Sequence, residues 1–350
     1  MKEKLSLAAW KLAGGVADEA FLMAPRILRL FLPGRSVDEK TLERETRFYA
    51  DQGYVDAPGT FFSLTETAPS FRLESRKPFG SGFFEEYVFP SGYEPKNPLI
   101  RDRYLRHKAN REARLFRWTH GDKPRETVLC LHGFLLGDHL DAQRMFKVRG
   151  LMDRGLDAAL FLAPFHGKRS DGTFASQRLS LRPEDPAFTC EFFGQAIQDL
   201  SAALLILKNL GTGRVGLIGA SMGGYLAALY SCLAGSHAFA ALAVPALDMS
   251  RPFGPESSHY SFKPGPALLE DLKRVWTFHS PVRLSPRLPP EKVLVLAAMG
   301  DRLCPFETTQ ELCQRWGWPQ HRFFPGGHWL MNDRGERGRA WHAFLDGMGF

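Results

Sequence analysis

A chain of 350 residues that is 44% hydrophobic and 12% aromatic can bury one large core, and its length suits a catalytic domain with insertions or about two domains. Its net charge of +7 is spread through interspersed Lys, Arg, Asp and Glu, with no run of one sign, so nucleic acid is not an expected partner. The five cysteines, Cys130, Cys190, Cys232, Cys304 and Cys313, are widely spaced and lack a C-x-x-C pair, which argues against zinc or redox work and for a reducing, cytoplasmic compartment.

No stretch reaches the roughly 18 uninterrupted apolar residues of a membrane span. The opening basic and apolar run is not expected to be a removed leader, because Lys11 interrupts it and Asp18-Glu19 follow without a cleavage site. Residues from about 5 to 50 read as helical, with Leu22, Ile27, Leu28, Leu30 and Phe31 near helical spacing and Pro25 and Pro33 as punctuation. Two readings of this segment stand side by side. Trp10, Leu12, Phe21, Leu22, Ile27, Leu30 and Phe31 alternate with Lys2, Lys4, Lys11, Arg26, Arg29 and Arg35, a mix suited to peripheral contact with a membrane surface. An amphipathic helix of this kind also packs onto its own domain, and Asp18, Glu19 and Pro25 interrupt a membrane-facing stripe.

Further along, strands are expected at Phe83–Phe89, Ala113–Trp118 and Thr127–Leu131. Strands then alternate with helices: helix Ala142–Arg154, strand Ala158–Ala163, helix Glu191–Leu210, strand Val215–Ile218 and helix Met222–Leu233. Apolar strands follow at Phe239–Val244, Val293–Ala298 and His321–Phe324. This alternation predicts an α/β fold, a mostly parallel sheet with helices on both faces. The long interval from Met249 to about 290, rich in Pro, Gly and aromatics, reads as an insertion holding a helix near Ala267–Trp276 and capping the active site. The expected organisation is therefore a helical extension over 1–79 and a catalytic domain over 80–350, with the cap insertion at 249–290.

The chemistry-bearing signal is Gly219-Ala-Ser221-Met-Gly223-Gly224, a G-x-S-x-G between an apolar strand and an Ala/Leu-rich helix. A tight strand-to-helix turn strains the serine backbone and excludes flanking side chains, hence the glycines; the helix start directs free N–H groups at the serine oxygen. Three more pieces lie in order. His132-Gly-Phe134 ends a strand upstream, Gly300-Asp301-Arg-Leu-Cys304-Pro305 follows another strand, and Gly326-Gly-His328-Trp329 follows the last.

Together these motifs resemble the α/β-hydrolase superfamily over roughly residues 80 to 350, and G-A-S-M-G-G with Pro164-Phe-His-Gly-Lys-Arg is similar to the abhydrolase-domain group. The resemblance implies an α/β-hydrolase fold and a serine esterase with Ser221 as nucleophile, His328 as base and Asp301 as acid. It places the backbone N–H groups of Phe134 and Met222 in the oxyanion hole. Asp248, after the preceding strand, is an alternative acid, and His132, His166 and Trp329 are candidate pocket residues. No cofactor or metal is expected, and the substrate class is a small acyl ester, with the aromatic load favouring a lipid ester. An acyltransferase sharing the acyl-enzyme, or a non-catalytic binding protein on this scaffold, are the alternatives. Gly211-Thr-Gly213-Arg-Val-Gly216 matches G-x-G-x-x-G literally but follows a helix and opens a strand, so it reads as a helix C-cap.

Overall fold

A computed structural model describes residues 8–19, 37–121, 123–171, 180–182, 184–249, 260, 262–333 and 335–350. Residues 8–19 form helix α1. After α2 (Glu39–Asp51) the sheet begins with β1 (Arg72–Phe79), β2 (Gly82–Pro90) and, past the short α3 (Arg101–Leu105), β3 (Glu112–Thr119). There follow β4 (Thr127–Leu131), α4 (His139–Met145), α5 (Val148–Asp153), β5 (Asp157–Phe161), α6 (Pro186–Asn209), β6 (Val215–Ala220), α7 (Met222–Leu233) and β7 (Ala240–Ala243). The chain ends with α8 (Pro266–Thr277), β8 (Val293–Ala298), α9 (Phe306–Arg315), β9 (Gln320–Phe324) and α10 (Glu336–Met348).

Among the described residues, nine strands form one sheet in the order β1-β2-β3-β5-β4-β6-β7-β8-β9. From β5 to β9 every pairing is parallel; β1, β2 and β3 add an antiparallel edge. Strand alternation sorts the apolar side chains to two faces. Leu129 and Leu131 of β4 join the core that α2, α6, α7 and α9 cover, whereas Val128 and Cys130 face the core under α4, α5 and α10. This is the α/β-hydrolase fold with its helices on both faces.

Three expectations need correction. The boundary drawn between 79 and 80 cuts the β1–β2 hairpin, in which Phe79 pairs with Gly82; the sheet already begins at Arg72. The extension is also not detached, because α2 buries Leu42 and Tyr49, and the Tyr49 hydroxyl donates to Ala187 O at 3.0 Å and to Glu191 at 2.9 Å on α6. The single helix expected over 142–154 is two short ones, broken where Lys147 adopts a left-handed backbone with φ 49°.

Gly211 does end α6: with φ 75°, its N–H reaches Lys208 O while Thr212 N–H reaches Leu207 O, the paired bonds of a Schellman cap. The insertion supplies α8, whose Leu268 and Leu272 pack with Val37 and Leu42 beside α2. Residues 250–259 and 261 of the insertion expected to cap the site lie outside the described residues. So do residues 20–36, with Phe21, Leu22, Ile27, Leu30 and Phe31. Helix α6 is long and apolar enough to cross a membrane, but 83% of its most apolar window is buried in this core.

Glu191 ties the extension to α6: its carboxylate also accepts from Tyr93 Oη at 2.6 Å and from the N–H groups of Lys96 and Asn97 at 2.7 and 3.1 Å. Glu191→Ala strands these buried donors together with Tyr49, at an expected cost of about 3 kcal/mol or more. Thermal unfolding should fall by several degrees; a midpoint within about 1 °C of wild type would show that these bonds do not anchor the extension.

Candidate active site

Ser221 sits between β6 and α7 with φ 55° and ψ −116°, a region that non-glycine residues rarely occupy. Its neighbours explain how the chain reaches that conformation. A Cβ on Gly219 would lie 2.0 Å from Gly223 O, so the strand and helix backbones touch across the turn. The serine N–H donates to Ala243 O at 2.9 Å, and its carbonyl accepts from Tyr225 and Ala246 at 3.0 and 3.1 Å. Met222 opens α7, where the first N–H groups have no intrahelical acceptor. From the other side comes the turn after β4, where a Cβ on Gly133 would lie 3.6 Å from the Ser221 Cβ and the next residue, Phe134, is half-buried.

His328 and Asp301 stand in the loops that follow β9 and β8. The His328 Nδ1 and an Asp301 carboxylate oxygen are 2.8 Å apart, and both side chains are buried. Asp301 also accepts the Cys304 N–H at 2.7 Å, which turns the Cys304 thiol back to lie against both the His328 imidazole and the Ser221 hydroxyl. Burial alone would lower the His328 pKa; the Cys304 sulfur and the Asp301 carboxylate outweigh it and hold the imidazole above its ordinary value. For Asp301, burial dominates and raises its pKa, against the hydrogen bonds from His328 and Cys304. Burial likewise pushes the Cys304 thiol up.

The donor atoms of Asp301, Cys304 and His328 lie within 4.8 Å of one another.

Of the nine residues singled out in the sequence, the structure gathers Ser221, Met222, Phe134, Asp301 and His328 at one end of the parallel strands. Trp329 is 53% exposed and meets the His328 ring edge-on. Asp248 lies near Tyr225, whose pKa burial raises first and the Asp248 charge raises further. The Nδ1 position is taken by Asp301.

The pocket role expected for His132 and His166 is corrected by burial. His132 Nδ1 faces Gly133 O at 2.8 Å and Nε2 accepts the Ala163 N–H at 3.1 Å, so both nitrogens serve the backbone, and burial lowers the pKa to about 4. His166 is fully buried with Nδ1 on Pro164 O at 2.8 Å, and burial takes its pKa down to about 3. Both rings are structural supports of the loops beneath Phe134.

The sequence reading missed two groups. Cys304 had a local signal, three residues past Asp301 in a turn the carboxylate itself caps. Asp18 had none: it comes from α1, yet is completely buried against the His328 loop.

The sheet order and the strand-to-helix turn at Ser221 are those of the α/β-hydrolase fold, and the chain is similar to proteins built on it. A family model described as Alpha/beta hydrolase domain containing 18 matches residues 106–254, a stretch that holds Phe134, Ser221 and Met222 and ends before Asp301 and His328. Two Mycobacterium tuberculosis proteins, the uncharacterized proteins MT2702 and Rv2627c, are each 28% identical over 288 residues, covering 80% of this chain and 68% of theirs. Among solved structures, acetyl xylan esterase 1 from Thermoanaerobacterium superposes with a TM-score of 0.59 at 15% identity, covering 89% of this chain and 99% of that one. An acetyl xylan esterase from Paenibacillus gives 0.58 at 15% identity with the same coverage. At that identity the likeness is one of fold.

The electrostatics of the pair give a measurable expectation. The His328 imidazole should titrate above about 6.5, and Asp301→Asn should lower it by removing the adjacent charge. Histidine NMR titration, with the resonance assigned by its loss in His328→Gln, reads this directly. An unchanged value in Asp301→Asn would show that another group holds the ring.

Proposed function

We propose that the protein is a serine hydrolase that cleaves a carboxylic ester through an acyl-enzyme on Ser221. The observation that carries this reading is the strained Ser221 at a helix N-terminus, combined with a buried imidazole whose Nδ1 is held by Asp301 at 2.8 Å.

Asp301 fixes the tautomer, leaving Nε2 as the basic nitrogen. The Ser221 Oγ attacks the ester carbonyl carbon as its proton passes to Nε2, and the carbonyl oxygen takes up the negative charge. The N–H groups of Met222 and Phe134 stabilise that oxygen. Collapse breaks the bond to the alcohol, which leaves with the proton from Nε2. Water then gives a proton to Nε2 and attacks the acyl carbon; the second collapse returns the proton to Ser221 and releases the acid. The scheme needs no cofactor.

The substrate class follows from the surroundings. Proteins named esterases are built on this fold, and the two residues directly after His328, Trp329 and Leu330, are exposed apolar side chains, which favours an ester with an apolar acyl portion. An acyltransferase would use the same acyl-enzyme with an alcohol in place of water, and product analysis with and without an added alcohol separates the two.

Ser221→Ala should abolish fluorophosphonate labelling and ester turnover with the fold intact, since it removes the atom that is acylated; undiminished labelling would move the nucleophile elsewhere. Asp301→Asn should cost about 10⁴ in turnover and Asp248→Asn little, the reverse ranking placing the acid at Asp248. Because the base must be neutral, kcat/KM should rise with pH through the His328 pKa, with an acid limb above about 6.5.

A further inference from the structure

We infer that Asp18, on helix α1, is a positioning residue for His328, so that the N-terminal helix is part of the catalytic apparatus. The inference rests on the serine-hydrolase reading of Ser221.

The contacts are direct. Both Asp18 carboxylate oxygens accept the backbone N–H of His328 at 2.9 Å, one also accepts Trp329 N–H at 3.3 Å, and the other accepts Arg302 N–H at 3.0 Å. A single buried carboxylate thus joins the loop bearing His328 to the residue immediately after Asp301. Such charge-assisted bonds are among the stronger ones, and they converge on the backbone that sets the imidazole's place. The two loops also touch each other, through Gly300 N–H to Gly326 O at 2.8 Å.

Helix α1 is shaped to deliver that carboxylate. A Cβ on Gly14 would lie 2.0 Å from Gly327 N, one on Gly300 would lie 2.8 Å from Lys11 O, and one on Gly327 would lie 2.6 Å from an Asp18 oxygen. The helix backbone therefore rests on the loop backbones, with glycine on both sides of the contact. At its end, Glu19 pairs with Arg302 at 3.0 Å. Leu12 and Val16 point the opposite way, 63% and 61% exposed. A structural tether would need none of this registration with the two loops that carry the base and its acid. The negative charge of Asp18 also lies close enough to add to the raised pKa of Asp301.

The test uses the full chain with Asp18→Asn, which keeps the size but loses the charge and one acceptor. It adds Gly14→Val, which keeps the Asp18 side chain chemically intact but forces the helix that carries it off the loops. Fluorophosphonate labelling and kcat on a p-nitrophenyl ester should fall by roughly 10 to 100-fold in both, with KM within a factor of about 2, because the displaced group is the base and not the pocket. Hydrogen exchange should quicken in peptides spanning 299–304 and 326–331 and stay unchanged in β2 and β3. Full labelling and kcat in both variants would overturn the inference, as would a loss that falls on KM alone. If the wild-type protein itself is not labelled, the hydrolase reading fails separately. The exchange measurement then still decides the anchoring: unchanged protection of 326–331 in Asp18→Asn overturns it.

Discussion

Three backbone segments meet at Ser221 with no space between them, and the geometry of the site follows from that contact. A Cβ on Gly223 would lie 1.9 Å from Leu131 O at the end of β4, and one on Gly224 would lie 2.9 Å from Pro245 after β7. Helix α7 is therefore pressed against two strand ends at once. The approach fixes the separation between the start of α7 and the turn after β4, which are the two places that supply Met222 and Phe134. The left-handed backbone of Ser221, a cost of about 1–3 kcal/mol, is the consequence of the same crowding. It persists because the serine's N–H and C=O are both tied to β7 and the residues around it.

The other half of the site is held by charge. His328 lies between the Asp301 carboxylate on its ring and the Asp18 carboxylate on its backbone, and the Cys304 sulfur closes a third side. The Asp301 carboxylate favours the imidazolium, the form that the proposed mechanism passes through. Burial works in the opposite direction, and the balance between them sets where the ring titrates. Removing water from the pair also strengthens the attraction that remains. The loops after β8 and β9 thus form one unit, closed by their own backbone bond and by the helix that precedes the sheet.

The sequence was most legible where backbone sterics demand particular residues. The glycines at 219, 223 and 224 leave few alternatives to a tight strand-to-helix turn, and the apolar strand before them set its place in the sheet. The alternation of strands and helices also carried the parallel architecture. Antiparallel β1 escaped notice because its residues are largely exposed, Arg72 to Phe79 being mostly polar, so it lacks the apolar pattern by which β2 and β3 stand out. Asp18 escaped for a different reason. Its partners lie 284 to 311 positions away, and a buried carboxylate serving backbone N–H groups leaves no motif in the sequence around it.

The histidines show why residue type alone misleads. His132, His166 and His328 all follow strands in glycine-containing turns, yet only His328 has a carboxylate on its ring. His132 and His166 instead sit on a polar network centred on α6. Arg169, fully buried, pairs with Asp199 at 2.6 Å and donates to Leu162 O and Asn110 O, while Asn110 in turn accepts the Phe165 N–H at 3.0 Å. A buried pair of this kind is weak evidence for stability, because desolvation offsets much of its attraction. What it does supply is a defined geometry for the 164–169 loop, whose His166 ring packs against Phe134 at 5.9 Å. Polar residues of the long, largely buried helix α6 therefore help to shape the loop that packs against the turn bearing Phe134.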